Sequence, residues 1–228
     1  MNNQKDNWNN QYKKQDRNPV YPTEWVIRTI AGGNYPNLKM DKNQYKGKKI
    51  LDMSCGDGRN LQLLINQGFE VHASEISENI VEPLIDKFPE VRFSVGYNNR
   101  QLFEDHFFDY ILSCAACYYL EPGVSFQDNL NEICRILKPD GVFISNIPDL
   151  KNSVARDAIS TNIKGEIIIT KDPHNLRNGY RWQTADSEKD VNDLFSTRFN
   201  SISIGSFYDN YYGLIISGFM LVCRHPIK

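Results

Sequence analysis

Little in this chain marks it for export, for a membrane or for a nucleic acid. It opens on Met-Asn-Asn-Gln-Lys-Asp with no apolar stretch behind, so no leader peptide is expected. No run approaches the ~18 consecutive apolar residues of a membrane helix, so no membrane partner is expected either. The 5 cysteines are odd in number and spread over 228 residues. That pattern makes no disulfide framework and fits a reducing cytoplasm. Cys114 and Cys117 form a single Cys-x-x-Cys without a second pair, which is too little for zinc, and no metal is expected. The 26 Lys and Arg fall short of the 28 Asp and Glu. Without a clustered basic face, a nucleic-acid partner is not expected. Nothing in the pattern sets an oligomeric state.

What is there centres on Lys49-Ile50-Leu51-Asp52-Met53-Ser54-Cys55-Gly56-Asp57-Gly58. A short apolar run leads into an acid and then a Gly-x-Gly turn. Apolar positions 61, 64 and 65 follow at helical spacing. The reading is strand, glycine turn, helix. Glycine lets a ligand approach the backbone, and the helix start offers free N–H groups to it.

Around this unit, strands and helices alternate. Predicted strands cover 49–52, 69–74, 91–95, 107–113 and 142–147. Predicted helices cover 59–67, 78–88 and 124–137, the second capped by Ser77. Lys138-Pro139-Asp140-Gly141 reads as a turn. A further helix opens at Pro22-Thr23-Glu24 and stops at Gly32-Gly33. Residues 149 to about 184 break the alternation and read as an insertion beside the active site, holding a short strand at 166–170. Ser187 caps a last helix. Strands 202–207 and 214–223 are joined too tightly for anything but an antiparallel pair. The expected fold is α/β and doubly wound: a mostly parallel seven-stranded sheet with one antiparallel strand near the C-terminus. Residues 1–40 are read as an N-terminal arm and helix that cap the site, and residues 41–228 as the main domain. In the arm, Trp8 and Tyr12 share a helix face, as a loosely docked segment or as a flap.

The turn lacks the third glycine of a dinucleotide fingerprint, because Leu61 stands there, and no Gly-Lys-Ser/Thr follows as in a P-loop. Asp-Met-Ser-Cys-Gly-Asp-Gly instead resembles the first motif of class I S-adenosylmethionine-dependent methyltransferases, with Ser54 in place of that family's first glycine. Glu75 ends the second strand about 20 residues on, where an acid holds ribose hydroxyls in such folds. Phe108-Asp109-Tyr110-Ile111 and Arg135-Ile136-Leu137-Lys138-Pro139-Asp140-Gly141 resemble the family's fourth-strand lead-in and its turn before strand five. The resemblance covers about residues 45–147 and the final strand pair.

The resemblance implies S-adenosylmethionine as cofactor and S-adenosylhomocysteine as product. It implies that Asp52, Ser54, Cys55, Gly56 and Gly58 line the methionine and ribose. Glu75 would hold the ribose hydroxyls, Ile76 and Asn98 would meet the adenine, and Cys114 the methionine end. Arg28 is read either as a solvated charge or as a partner for a ligand carboxylate. Methyl transfer needs alignment and exclusion of water, and an alcohol acceptor also needs a base. His174 in the insertion is the candidate base, with Tyr118, Tyr119 and Asp149 as rivals. Tyr180, Trp182, Tyr208, Tyr211 and Tyr212 read either as an aromatic acceptor wall or as ordinary loop packing. The expected activity is methylation of a small molecule, at a hydroxyl, with a sugar or sugar nucleotide of a surface polysaccharide as one acceptor. The alternatives are an RNA or protein methyltransferase and a non-catalytic cofactor-binding partner protein.

Overall fold

The structure is a computed structural model and describes residues 4–14, 20–38 and 40–227. Those parts of the predicted N-terminal arm that fall on residues 1–3, 15–19 and 39 lie outside the described residues.

Two helices precede the sheet, α1 (Gln4–Lys14) and α2 (Glu24–Ile30). There follow β1 (Lys49–Met53), α3 (Leu61–Asn66), β2 (Glu70–Glu75), α4 (Glu78–Ile85), β3 (Arg92–Val95) and β4 (Phe108–Ser113). Next come β5 (Tyr119–Leu120), α5 (Phe126–Ile136), β6 (Leu137–Pro148), β7 (Ile159–Ser160), β8 (Glu166–Ile168) and β9 (Arg181–Gln183). The chain ends with α6 (Glu188–Phe195), β10 (Phe199–Tyr211) and β11 (Leu214–Pro226). Serines start three of the helices by accepting the orphan N–H groups of the first turn: Ser77 from Asn79, Ser125 from Asp128 and Ser187 from Asp190. Ser125 and Asp128 complete a reciprocal capping box.

The main sheet has seven strands in the order β10-β11-β6-β4-β1-β2-β3. All lateral pairings are parallel except those of β11, which runs against both β10 and β6. The fold is therefore the doubly wound α/β sheet that the alternation predicts. Its faces are both buried. Leu51, Met53, Ile111 and Phe143 point into one apolar cluster, with α5 and α6 against it. Ile50, Tyr110, Leu112 and Ile144 point into the other, with α2, α3 and α4 against it. Successive strand residues alternate between faces, so a continuous apolar run serves two cores at once.

Two features differ from the expectation. Lys138–Gly141 is not a free turn but the irregular start of β6, where the pairing with β4 shifts register between Phe108 and Tyr110. The segment 149–184 is more ordered than a single short strand: β7, β8 and β9 join β5 in a second, antiparallel sheet of order β5-β9-β8-β7. Its strands are two or three residues long, too short for a periodic signal in the sequence.

Candidate active site

Strand order reverses between β1 and β4, with β2 and β3 on one side and β4 and β6 on the other. Such a switch point leaves a crevice beyond the carboxyl ends of the strands. Here a cleft of about 690 Å³ lies at that place, within the ~300–1,000 Å³ typical of small-ligand sites.

Its floor is the turn after β1. Ser54, Cys55, Gly56 and Asp57 line it, and the turn holds its shape through left-handed residues at Ser54 (φ 57°) and Gly56 (φ 60°). Glu75 is buried at the end of β2 and accepts from the N–H of Gly56 (2.7 Å) and of Ile76 (2.9 Å). Burial raises its pKa above the usual carboxylate range, against those two bonds. Asp52 is buried beside it, with Oδ2 unpaired among the described residues. Burial first, then the charges of Glu75 and Asp57, push its pKa up to about 8. Two buried carboxylates with spare acceptor capacity call for a ligand that brings hydroxyl or ammonium donors. Asp57 caps the next turn and pairs with Arg59 at 2.7 Å.

The structure revises the part of several predicted ligand contacts. Gly58 (φ 74°) is not on the cleft: a Cβ there would meet Leu61, Phe88 and Leu84 at 3.1–3.3 Å, so this glycine serves close packing of the turn on α3 and α4. Asn98 lines the cleft, but its side chain is spent on the protein. Its Nδ2 donates to Ala116 O (2.8 Å) and Tyr119 O (3.4 Å), and its Oδ1 accepts from Ser54 Oγ (3.1 Å). It braces the segment after β4 rather than offering a free amide to adenine. Arg28 stands at the exposed rim, where Glu24 of its own helix turn takes Nε and Nη2 at 2.9 and 2.6 Å. The carboxylate it binds is thus Glu24. Cys114 lines the cleft and its thiol, pushed up to about 11 by burial, reaches Thr23 Oγ1 at 3.4 Å. That contact, with Thr23 N–H on Asn60 Oδ1, ties the start of α2 to the cleft floor.

The far half of the cleft is aromatic. Tyr118 and Tyr119 stack on each other (5.2 Å), and both meet Trp182 edge-on at about 5 Å. Of the other predicted wall residues, Tyr208 and Tyr211 line the rim on the projecting β10–β11 hairpin, Tyr180 is buried behind the wall, and Tyr212 is fully exposed. Arg177 enters this half with Nε on Tyr119 Oη (2.9 Å) and Nη1 on Asp172 (3.1 Å). Asp172 also accepts from the N–H groups of His174, Leu176 and Arg177, which shapes the loop that delivers Arg177. Asn146, at the end of β6, accepts the Ala115 N–H at Oδ1 (2.7 Å) and lines the cleft. Sequence reasoning missed Arg177 and Asn146, whose placement depends on a loop and a strand end far apart in the chain.

Two candidate bases are displaced. His174 is exposed on the outer side of the Asp172 loop and is not among the cleft residues. Asp149 is turned away as well: it accepts from Lys151 and Asn152 N–H and from Ser217 Oγ, joining β6 to β11. Of the four candidates, Tyr118 and Tyr119 reach the cleft, and burial raises both phenols above the usual range, so they are neutral there.

Helix α1 lies across the opening. Tyr12 sits against the turn so closely that a Cβ on Gly56 would fall 2.5 Å from its hydroxyl. Trp8 stacks on Tyr12 (5.8 Å), meets Tyr119 edge-on (5.9 Å) and takes the Arg177 guanidinium over its ring (5.6 Å). Thus Trp8 and Tyr12 do share one helix face, and that face looks into the cleft.

A family model described as a methyltransferase domain matches residues 51–145, from β1 to the middle of β6. An uncharacterized protein of Haemophilus influenzae is 28% identical over 201 residues, covering 82% of this chain and 65% of that protein. The chain spans 65% and 42% of the lengths of two curated relatives that it matches. Among solved structures, a SAM-dependent methyltransferase of Methanosarcina mazei superposes with a TM-score of 0.64 at 17% identity, over 86% of this chain and 99% of that one. The 1,6-didemethyltoxoflavin-N1-methyltransferase of Burkholderia thailandensis, with 1,6-didemethyltoxoflavin and S-adenosylhomocysteine bound, gives 0.56 at 19% identity, over 79% and 72%. At these identities the structural likeness shows a shared fold. The chain thus carries a methyltransferase domain over residues 51–145, with an acid-lined glycine turn at its strand ends, in a fold shared with SAM-dependent methyltransferases.

Proposed function

We propose that this methyltransferase acts on a small molecule, at a hydroxyl group, with the acceptor in the aromatic half of the cleft. One observation carries this reading: the glycine-turn half and the aromatic half form a single cleft, and α1 lies across it. A partly covered cleft of this size suits a small acceptor better than an RNA or a folded protein. The bound 1,6-didemethyltoxoflavin of the Burkholderia neighbour supports a small acceptor in this fold. A sugar or sugar nucleotide remains one acceptor class, since aromatic faces with polar tips suit rings bearing hydroxyls.

S-adenosylmethionine supplies a methyl group already activated on a sulfonium. The chain's work is therefore to bind, align and exclude water. Glu75 would take the ribose hydroxyls, and the unpaired Oδ2 of Asp52 would face the ligand's ammonium group. Cys55 and Gly56 would lie along the ligand, and Ile76 and Cys114 would pack against it. Tyr118 and Asn146 would meet the acceptor, Tyr118 as a neutral hydrogen-bonding group rather than as a base, and the proton released from the acceptor hydroxyl would pass to bulk water at the cleft rim. In this reading residues 1–40 are the cap, with α1 as a lid over the bound cofactor. Residues 41–228 are the methyltransferase domain, and the 149–184 insertion forms the acceptor side.

The test is calorimetric titration with S-adenosylmethionine and S-adenosylhomocysteine, followed by transfer of labelled methyl to alcohols, amines, sugars, RNA and polypeptides. Micromolar binding of both cofactor forms, with product from a small alcohol, is the expected result. Product from RNA or protein alone would overturn the acceptor reading.

A further inference from the structure

The small antiparallel sheet presents one face to the cleft, and that face carries an unpaired acid. Tyr119 stands opposite Trp182 in the β5–β9 pairing, and Leu120 opposite Arg181. Glu121 follows β5 and Tyr180 precedes β9, just beyond the paired residues. Side chains alternate across a strand pair, so Tyr119 and Trp182 share a face while Leu120 and Arg181 point away. Tyr119, Glu121 and Trp182 all line the cleft.

The two faces treat charge differently. On the far face, Arg181 is held by Glu166 at 2.8 Å, an ion pair complete in itself. On the cleft face, the Glu121 carboxylate takes no hydrogen bond and no ion pair among the described residues; only its backbone oxygen is used, by Arg181 and by Val124 N–H. The cation nearest in kind, Arg177, is already neutralised by Asp172. On the same cleft wall, Trp182 is 3% exposed and its Nε1 hydrogen is buried without an acceptor among the described residues. Burial alone raises the Glu121 carboxyl above its ordinary range. A half-buried carboxylate left unpaired among aromatic rings is costly unless a ligand completes it. The group that suits both a carboxylate and aromatic faces is an organic cation.

We infer that Glu121 is the specificity-determining residue of the acceptor half, and that it receives an ammonium group carried by the acceptor. The inference rests on the proposal that the aromatic half takes a small molecule. It narrows that class to alcohols that also carry a protonated amine, such as amino sugars or phenols bearing an aminoalkyl chain. Trp182 would offer its buried N–H to a polar atom of the same ligand.

The test uses the full chain loaded with S-adenosylhomocysteine and matched sets of probes: tyramine, 4-ethylphenol and 4-hydroxyphenylacetate; glucosamine, glucose and glucuronate. Binding is read by equilibrium dialysis, and transfer separately with labelled S-adenosylmethionine. The ammonium member of each set is expected to bind at least about tenfold better than its neutral and anionic partners. Glu121→Gln should reduce it to the level of the neutral member, Glu121→Asp should keep most of the preference, and S-adenosylhomocysteine affinity should stay unchanged in both. Equal or better binding of the neutral or anionic members, or a preference intact in Glu121→Gln, overturns the inference. Binding of ammonium probes without methylation upholds the cation subsite and counts instead against these alcohols as acceptors.

Discussion

At the scale of single residues, the cleft floor mixes strain with unmet hydrogen-bonding capacity. Ser54 is a non-glycine residue at φ 57°, and its hydroxyl reaches Asn98 Oδ1. A left-handed side chain costs about 1–2 kcal/mol, and a net hydrogen bond returns about 1 kcal/mol. Ser54→Gly, which removes both, is expected to leave stability nearly unchanged. Ser54→Ala keeps the strain and loses the bond, so it should cost about 1 kcal/mol in urea unfolding. A loss in Ser54→Gly equal to that in Ser54→Ala would show that backbone strain plays no part.

Glu75 and Asp52 make separate predictions. Glu75→Ala strips a buried acceptor from Gly56 and Ile76 and removes the proposed ribose contact. It should weaken S-adenosylhomocysteine binding by about 1–3 kcal/mol, the usual range for a hydrogen bond to a charged group; unchanged affinity would refute the placement of the ribose. Asp52 has a folded-state pKa of about 8, raised above that of a free carboxyl. The native state therefore holds a proton that the unfolded chain releases, and stability without ligand should fall as pH rises through that interval towards 8. Asp52→Asn cannot titrate and should flatten that part of the curve of Tm against pH. An equal slope in wild type and variant would mean that Asp52 is not the group responsible.

Among elements, α1 is the one whose function its own sequence hides. Gln-Lys-Asp-Asn-Trp-Asn-Asn-Gln-Tyr-Lys-Lys has the composition of a solvated tail. Only the pair Trp8 and Tyr12 gives it an apolar face, and their partners, Tyr119, Arg177 and Gly56, come from three distant segments. Trp8→Ala should loosen this docking and speed release of S-adenosylhomocysteine by about tenfold or more in stopped-flow exchange, the usual range when a large aromatic anchor is removed. The overall fold should persist, because Trp8 lies outside the buried part of the core clusters. An unaltered release rate would remove the lid role from α1. The β10–β11 hairpin is a second such element: its 13-residue strands outrun the β6 pairing and carry Tyr208 and Tyr211 to the rim.

Over the whole molecule, ligand binding and folding are one linked equilibrium. The cleft joins residues from α1, α2, the strand ends, the small sheet and the terminal hairpin, so an occupied cleft holds all of them together. Ligand at a hundredfold above its dissociation constant adds about 2.7 kcal/mol to stability. For a chain of this size that corresponds to a rise in Tm of about 5–10 °C. A thermal shift assay with S-adenosylhomocysteine checks this, and no shift at saturation would contradict a closed, cofactor-bound state.

The sequence by itself determined the frame of this protein and the acid-lined glycine turn at the strand ends. Alternating apolar runs, serine caps and the Asp52–Gly58 turn are local signals, because strand, helix and turn are decided by neighbours a few residues apart. Glu75 was legible for the same reason, as the acid that closes the strand next to the turn. The aromatic half of the cleft was decided only by tertiary structure. His174 and Asp149 sit in polar segments of suggestive sequence, yet a three-bond nest around Asp172 turns one outward and the Ser217 hydroxyl holds the other aside. Glu121 and Arg177 have no local signature at all, and Trp182 was legible only as one aromatic among several that read equally as a wall or as loop packing. They come together because β5 pairs with a strand some 60 residues away, and such long-range pairing is set by the packing of two faces rather than by any pattern within either segment.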